Sequence, residues 1–315
     1  MTPFDVVGVG ASAIDFVYTL PAYPRPEGPL SKLRIIGTER SPGGQTATVL
    51  SACASLGLRT RYVGTISSDV NGRLVREALR VRGVDLALAI ERDAPNAYAV
   101  ILLKKGSNPV SSGAASGSDP CGERVVLWDR DPRMVLKSHD VPRDFAAGAR
   151  LVHVDDVDGE AAAAAGRVAM RAGLPVTSDL EAVKPHTAAL LEAVTVPILA
   201  EHVPRELTGE SDLESALRLL RMPHMTLMCV TLGPEGAVLL AGERFIRQPA
   251  FRVDAVDTTG AGDVFRAGFI YALLRGDSPE AILRFACAAA AVSCTRRGAI
   301  NSVPSMEDVS RVLNR

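Results

Sequence analysis

Stretches typical of strands and stretches typical of helices alternate along this chain of 315 residues, and that alternation limits its fold more than any other feature. Apolar runs that predict strands lie at residues 5–9, 61–66, 151–155, 175–179, 196–200 and 227–231. Runs that predict helices lie at residues 45–56, 72–82, 159–172, 213–221, 261–274 and 279–296. Because helices are the usual crossovers between parallel strands, we expect a mostly parallel sheet with helices on both faces, formed by a single domain over residues 1–315.

Two stretches interrupt the alternation. Residues 16–37 contain four prolines and read as extended segments joined by turns. Residues 98–104 and 124–128 read as a pair of strands, separated by a Gly/Ser-rich run at residues 106–122 whose composition is typical of a mobile loop. These stretches predict a second, smaller β structure beside the main sheet.

Composition excludes several kinds of partner. Thirty-five basic residues against 36 acidic ones give a net charge of −1, so we expect no nucleic-acid partner. The five cysteines are scattered, which indicates neither a disulfide framework nor a zinc site. The first residues do not resemble a signal peptide, and no apolar run reaches the length of a membrane span. We expect a cytoplasmic protein without a membrane partner.

Residues 257–263, with the sequence DTTGAGD, combine a glycine-flanked loop with an aspartate at the start of a predicted helix. The free N–H groups and the positive dipole end of a helix N-terminus favour an anion such as a phosphate. An aspartate beside that anion can take the proton of an attacking hydroxyl group. The alternative interpretation, a simple turn between two core elements, does not need the aspartate.

This segment resembles the signature D-T-x-G-A-G-D-x-F of the ribokinase-like, or phosphofructokinase-B type, sugar kinases. The resemblance implies a three-layer α/β/α fold with a central, mostly parallel sheet and a small β-sheet lid, formed here by segments near residues 14–40 and 96–130. It also implies that Asp263 is the catalytic base and that the backbone of Gly260, Ala261 and Gly262 forms the anion hole.

The N-terminal half carries a second, less complete resemblance. Residues 41–48 match the family's P-G-G-x-x-x-N signature, with Gly43 and Gly44 at the start of a predicted helix and Thr48 where the family usually has Asn. By position, Asp15 and Asp155 correspond to acidic residues that bind the sugar in that family. Their neighbours Asp156 and Asp158 read as solvated residues, and Arg130 reads either as a surface residue or as a ligand for an anionic substrate group.

The C-terminal half resembles the family's nucleotide site. The segment with Thr231, Gly233 and Gly236 resembles the strand and turn along ATP. Cys287 is equally compatible with a position beside the adenine and with a place in the core. The family also binds a monovalent cation, such as K⁺, mostly through backbone oxygens, and the matching positions are Asp257, Thr259, Ser293, Arg296, Gly298 and Ser302.

Two features do not fit a simple assignment. The family's Asn-x-x-Glu motif, which orders Mg²⁺-bound water and phosphate, is replaced by Ala200 and Val203, which leaves room for an altered rate or metal requirement. Residues 8–13 match the dinucleotide pattern G-x-G-x-x-A, but the β-rich segment that follows lacks the required helix.

The resemblance therefore implies an ATP-dependent sugar kinase that uses Mg²⁺ and K⁺ and forms a homodimer through its lid. It leaves open which sugar is the acceptor, although Thr48 argues against ribose. The alternatives are a nucleoside kinase of the same family and a catalytically weak relative that binds a sugar or a nucleotide.

Overall fold

The computed structural model describes residues 4–104 and 124–314. The predicted loop at 106–122 and Cys121 lie outside these residues. Thirteen strands are present in the described part of the chain: β1 Phe4–Val9, β2 Ala13–Leu20, β3 Gly37–Gly43, β4 Thr60–Ser67, β5 Asp85–Arg92, β6 Tyr98–Lys104, β7 Arg124–Asp129, β8 Ala149–Asp155, β9 Val176–Asp179, β10 Ile198–Ala200, β11 Leu227–Thr231, β12 Ala237–Ala241 and β13 Arg244–Gln248.

Nine α-helices lie between or after these strands within the same described ranges. They are α1 Gln45–Ser55, α2 Val70–Val81, α3 Gly159–Arg171, α4 Thr187–Leu191, α5 Val203–Thr208, α6 Leu213–Leu220, α7 Ala261–Arg275, α8 Pro279–Cys294 and α9 Met306–Leu313. Each of the six predicted helices is present, with ends that differ by a few residues. The side chain of Ser278 caps α8 by accepting the N–H of Ala281, as its position before a proline predicts.

The central sheet is parallel over five strands in the order β5-β4-β1-β8-β9. Isolated parallel bridges join β9 to β10, and β10 pairs in parallel with β11 before the antiparallel strands β12 and β13. The prediction of a mostly parallel sheet is confirmed.

Helices cover both faces of this sheet. Val6 and Val7 are neighbours in β1 and both are fully buried, but Val6 belongs to one hydrophobic core and Val7 to another. Since successive side chains of a strand point to opposite faces, the sheet is buried on both sides. Helices α1, α7 and α8 contribute to the core of Val6, and α3, α4 and α6 to that of Val7. The fold is therefore the predicted three-layer α/β/α arrangement.

A separate four-stranded sheet has the order β3-β2-β6-β7, and its strands come from the two segments predicted to form the lid. Strands β2 and β6 are parallel, and the outer pairs are antiparallel. The edge strand β7 exposes four consecutive apolar side chains from Val125 to Trp128, and Trp128 is 78% exposed. No described helix is long and apolar enough to cross a membrane.

The carboxyl ends of parallel strands meet at one edge of a sheet, which is where α/β folds place their ligands. Asp155 ends β8, Asp179 ends β9 and Thr231 ends β11. This edge is therefore where a functional site is expected.

Candidate active site

The loop before α7 has the backbone geometry that an anion site requires. Gly260 has a φ of 76°, in the left-handed region that favours glycine, and α7 begins at the next residue. Asp257 fixes the loop by accepting the N–H groups of Thr259 at 2.8 Å and Gly298 at 2.9 Å. The N–H of Ala261 donates within the turn to the carbonyl of Thr258 at 3.2 Å. The helix N-terminus and its dipole are thus held in a defined position.

Asp263 lies in the first turn of α7 and is 9% exposed. Burial raises the pKa of its carboxyl group well above the ordinary value, and the nearby Glu181 raises it further. Arg266, Asp179 and Arg124 of β7 act on this pKa in the opposite direction. A buried carboxyl group with a raised pKa is suited to accept a proton from a hydroxyl group.

Asp15 in β2 is a second buried carboxyl group near the same loop. Burial raises its pKa to about 7, Arg124 lowers it and Asp257 raises it. A Cβ atom at Gly43 would lie 2.4 Å from Asp15 Oδ2, so glycine is needed for β2 and β3 to meet here. Gly44 has a φ of 96° and precedes α1. Asp15, Gly43 and Gly44 therefore lie together at one corner of the small sheet.

Thr48 connects this corner with the loop before α7. It is fully buried in α1, and its Oγ1 has no hydrogen-bond partner among the described residues. A Cβ atom at Gly260 would lie 3.4 Å from Thr48 Cγ2 and 2.9 Å from Ala299 Cα. The structure thus brings the first turn of α1, the loop at 257–260 and the segment after α8 into contact.

A model of the family described as pfkB family carbohydrate kinase matches residues 4–306. The chain belongs to the pfkB family of carbohydrate kinases. It is 27% identical to fructokinase-2 of Solanum habrochaites, over 98% of this chain and 95% of that protein. It is 30% identical to a ribokinase of Arabidopsis thaliana, over 86% of this chain and 72% of that protein.

Solved structures agree with this assignment. The structure of Arabidopsis thaliana ribokinase complexed with ribose and ATP is 25% identical, covers 100% of both chains and gives a TM-score of 0.80. A ribokinase from Thermotoga maritima gives a TM-score of 0.82 at 24% identity, over 99% of this chain and 100% of that one. The fold is ribokinase-like, and the protein is an ATP-dependent kinase that phosphorylates an alcohol group.

In this pfkB-family kinase, Asp155 is fully buried and its carboxylate is already occupied by protein donors. Oδ2 accepts the N–H of Ala11 at 2.7 Å and the hydroxyl and N–H of Thr46 at 2.7 and 3.3 Å, and Oδ1 accepts the N–H of Val157 at 3.1 Å. Burial, the largest influence, raises its pKa to about 6. The contacts visible here join β8 to the turn after β1 and to α1.

Two further aspartates were expected to be solvated, and that expectation is wrong. Asp156 is buried and binds the Lys184 ammonium group at 2.7 Å. Asp158 is buried and forms a two-pronged ion pair with Arg130 at 2.6 and 2.7 Å. The pairing also removes Arg130 from the surface, so its interpretation as a surface residue is wrong. The sequence does not show that basic partners from distant segments cover these carboxylates.

The predicted nucleotide residues follow β11. Thr231 ends that strand and its hydroxyl lies 3.4 Å from the carbonyl of Leu199, while Gly233 and Gly236 have φ values of 54° and 98° in the next turn. Cys287 is buried in α8 within the hydrophobic core, and burial raises its pKa to about 12. Its thiol is therefore a neutral core group at physiological pH, which is compatible with an apolar contact to the adenine of a nucleotide.

The predicted cation segment shows one feature suited to an ion. Thr259 Oγ1 is buried and has no hydrogen-bond partner among the described residues. Ser293 and Ser302 are also buried, and Gly298 is tied to Asp257. The Arg296 guanidinium group instead binds Asp308 at 2.8 Å, so only the backbone of that residue is available to a cation.

Four charged residues near Asp263 were not singled out by sequence reasoning: Asp179, Glu181, Arg266 and Arg124. Asp179 ends a predicted strand, which is the only sequence signal that points to it. Arg124 of β7 reaches the loop before α7 and donates to Thr258 Oγ1 at 2.7 Å. The positions of the missing Asn-x-x-Glu motif, Ala200 and Val203, lie at the end of β10 and the start of α5, and neither supplies an acid.

Proposed function

We propose that this kinase transfers the γ-phosphate of ATP to a hydroxyl group of a small sugar, with Asp263 as the general base. The observation that carries the proposal is the position of Asp263: buried, in the first turn of α7, directly after a glycine loop that contacts Thr48 and is electrostatically coupled to Asp15. An acceptor bound between Asp15 and the loop would present a hydroxyl group to the base.

In the proposed reaction, the acceptor O–H bond breaks and its proton passes to the Asp263 carboxylate. The acceptor oxygen bonds to the γ-phosphorus while the bond from that phosphorus to the ADP oxygen breaks. The backbone at Gly260, Ala261 and Gly262, at the positive end of α7, stabilises the negative charge that develops. The small sheet would cover the site and exclude water that would otherwise hydrolyse ATP.

ATP would lie along the segment with Thr231, Gly233 and Gly236, and Cys287 would contact the adenine of ATP. Among the described residues, no group of three or more His, Cys, Asp or Glu side chains is placed to hold a metal ion. This fits Mg²⁺ bound mainly by ATP phosphates and water, since Mg²⁺ seldom uses an all-protein cage. Mg²⁺ would neutralise phosphate charge.

A kinase that depends on ATP is expected to act in the cytoplasm.

For the acceptor we propose a ketohexose such as fructose, because the compared relatives include a fructokinase that aligns with 98% of this chain. Asp155 would contribute by holding Thr46 and the 10–13 turn behind the sugar site.

ATP turnover should be measured with a panel of ketohexoses, pentoses and nucleosides. Turnover with nucleosides alone would identify a nucleoside kinase, and no turnover with any acceptor would indicate a catalytically weak sugar- or nucleotide-binding protein.

We expect turnover to increase when K⁺ replaces a bulky organic cation at constant ionic strength. The physical reason is the buried, unpartnered Thr259 Oγ1 beside a loop that Asp257 ties to Gly298, since a cation there would strengthen the field of the anion site. Rates and ATP binding by calorimetry should be compared with K⁺ and with tetramethylammonium. If neither changes, the proposed cation site at residues 257–259 and 293–302 is absent.

We also propose that the protein forms a homodimer through the small sheet. Strand β7 is an edge strand whose apolar side chains are exposed, and proteins usually cover such edges.

Sedimentation at micromolar concentration should show a dimer, and Trp128→Glu should convert it to a monomer. Leu219 on α6 is 69% exposed, and Leu219→Glu is the matched control that should leave the dimer intact. A wild-type monomer would contradict the proposal. Removing residues 106–122 should not disrupt the dimer.

A further inference from the structure

The acids at the carboxyl ends of β8, β9 and β10 differ in whether a protein group already binds them. Four of them are buried and are held by N–H groups or basic side chains: Asp155, Asp156, Asp158 and Asp179. Glu181 after β9 and Glu201 after β10 are exposed, and within the described ranges their carboxylates form no hydrogen bond or ion pair. These two carboxylates are therefore available to a ligand.

The pairing of β9 with β10 places Glu181 beside Ala200. A parallel bridge joins Leu180 to Leu199, and the N–H of Ala200 donates to the carbonyl of Leu180 at 2.9 Å. When this register is continued by one residue, Glu181 lies opposite Ala200, on a neighbouring chain segment about 5 Å away. Ala200 stands where the Asn-x-x-Glu motif would begin, so the available carboxylate lies next to the position at which that motif is missing.

Glu181 also lies on the face of the sheet that is covered by α7. Side chains two residues apart in an extended chain point to the same side, and Asp179 lies 2.5 Å from Arg266 of α7. The Glu181 side chain is thus directed towards the helix that carries Asp263. After burial, Glu181 has the largest influence on the pKa of Asp263 and raises it. This influence agrees with a carboxylate that faces the loop before α7, and it distinguishes Glu181 from Glu201.

We propose that Glu181 is the protein carboxylate that holds the Mg²⁺ of MgATP in this kinase. The inference rests on the proposed function only in placing the ATP phosphates at the loop before α7. In kinases Mg²⁺ is bound through one or two carboxylates together with substrate phosphates and water. An exposed carboxylate without a partner can bind the ion at no cost to another contact, whereas Asp156, Asp158 and Asp179 would each have to leave a buried cation unpaired.

The test measures binding and does not depend on turnover. Calorimetry in the absence of sugar gives the Kd of a non-hydrolysable ATP analogue with and without Mg²⁺. Glu181→Gln should weaken binding in the presence of Mg²⁺ by about 10-fold or more, which is the usual effect of removing a group that supports a bound metal. Without Mg²⁺, binding should be unchanged or tighter, because the substitution removes a charge that repels the triphosphate.

Mn²⁺ in place of Mg²⁺ allows the metal itself to be followed. Electron paramagnetic resonance measures the free Mn²⁺ concentration and so gives the Kd of the ion for the complex of enzyme and analogue. This Kd should increase by about 10-fold or more in Glu181→Gln. Since Glu181 is exposed, the variant should melt at the wild-type temperature, and a role confined to the fold would not separate the titrations with and without metal.

Glu201→Gln is the matched control, because it removes the same charge from the same edge of the sheet at the residue after Ala200. The Kd for the metal should not change in this variant. Three results would overturn the inference: an unchanged metal Kd in Glu181→Gln, equal weakening of the analogue with and without metal, or equal effects of Glu181→Gln and Glu201→Gln.

Failure of this inference and failure of the proposed function are distinguishable, because the binding measurements use no sugar. A wild-type enzyme that phosphorylates a sugar, together with a Glu181→Gln variant of unchanged metal affinity, would overturn only the inference. A Glu181→Gln variant with reduced metal affinity, in a protein that phosphorylates no acceptor, would overturn only the proposed function.

Discussion

Asp263→Asn is expected to fold and bind ATP but to lose phosphoryl transfer by a factor of about 10²–10⁴, because an amide cannot accept the proton of the attacking hydroxyl group. The measurement is steady-state turnover with saturating sugar and MgATP, with ATP binding followed by calorimetry. Asp277→Asn, beyond the other end of α7, is the control that should retain activity. Turnover of more than about a tenth of the wild-type value would contradict the general-base role.

The same variant separates catalysis from stability. Burial raises the pKa of Asp263 well above 3.8, so the folded protein disfavours the ionised form. The resulting cost is absent below the ordinary pKa, grows as the pH rises from the ordinary pKa to the raised one, and is constant above it. Asn carries no charge, so Asp263→Asn should melt at neutral pH at the same temperature as the wild type or higher. An inactive protein with unchanged or increased stability is the expected signature of a functional carboxyl group.

The parts of the site that were predictable from the sequence are those formed by residues that are neighbours in the chain. The loop at 257–263 and the turn at 43–44 could be predicted because a backbone with positive φ favours glycine and because a helix N-terminus has a recognisable local sequence pattern. The parallel strands β1, β4, β8, β9, β10 and β11 were predictable because buried strands form short apolar runs. By contrast, β5, β12 and β13 were not predicted. Of these, β5 and β13 are mainly half-buried or exposed, so their apolar patterns are weaker.

The electrostatic surroundings of Asp263 could not be predicted because they depend on distant segments. Asp179 lowers the pKa of Asp263 although the two residues are far apart in sequence, and this influence exists only because β9 packs against α7. The burial of Asp156 and Asp158 has the same origin, since Lys184 and Arg130 approach them from other elements. A run of aspartates after a strand is typical of a solvated turn, and only the tertiary structure shows otherwise.

Substrate selection is expected to depend most on Asp15. A buried carboxylate that loses its hydroxyl partners is left desolvated and unpaired, at a cost of about 1–3 kcal/mol or more. Asp15→Ala should therefore lower kcat/KM for the sugar by about 10-fold or more while the KM for ATP stays nearly unchanged. Thr48→Asn should shift preference towards other sugars without abolishing activity, since a longer amide then fills the space beside Gly260. Asp93→Ala, which removes an exposed carboxylate before β6, is the control.

The pH dependence of sugar binding tests the same assignment. The pKa of Asp15 is raised to about 7, chiefly by burial, so its carboxylate is ionised above that pH and protonated below it. Because the protonated group accepts fewer hydrogen bonds from sugar hydroxyls, the KM for the sugar should increase as the pH falls below about 7. Asp15→Asn should remove this dependence while leaving unchanged the fall of kcat at low pH, which we assign to the proposed base Asp263. If Asp15→Ala weakens sugar and ATP equally, or affects neither, the sugar does not bind at the corner of β2 and β3.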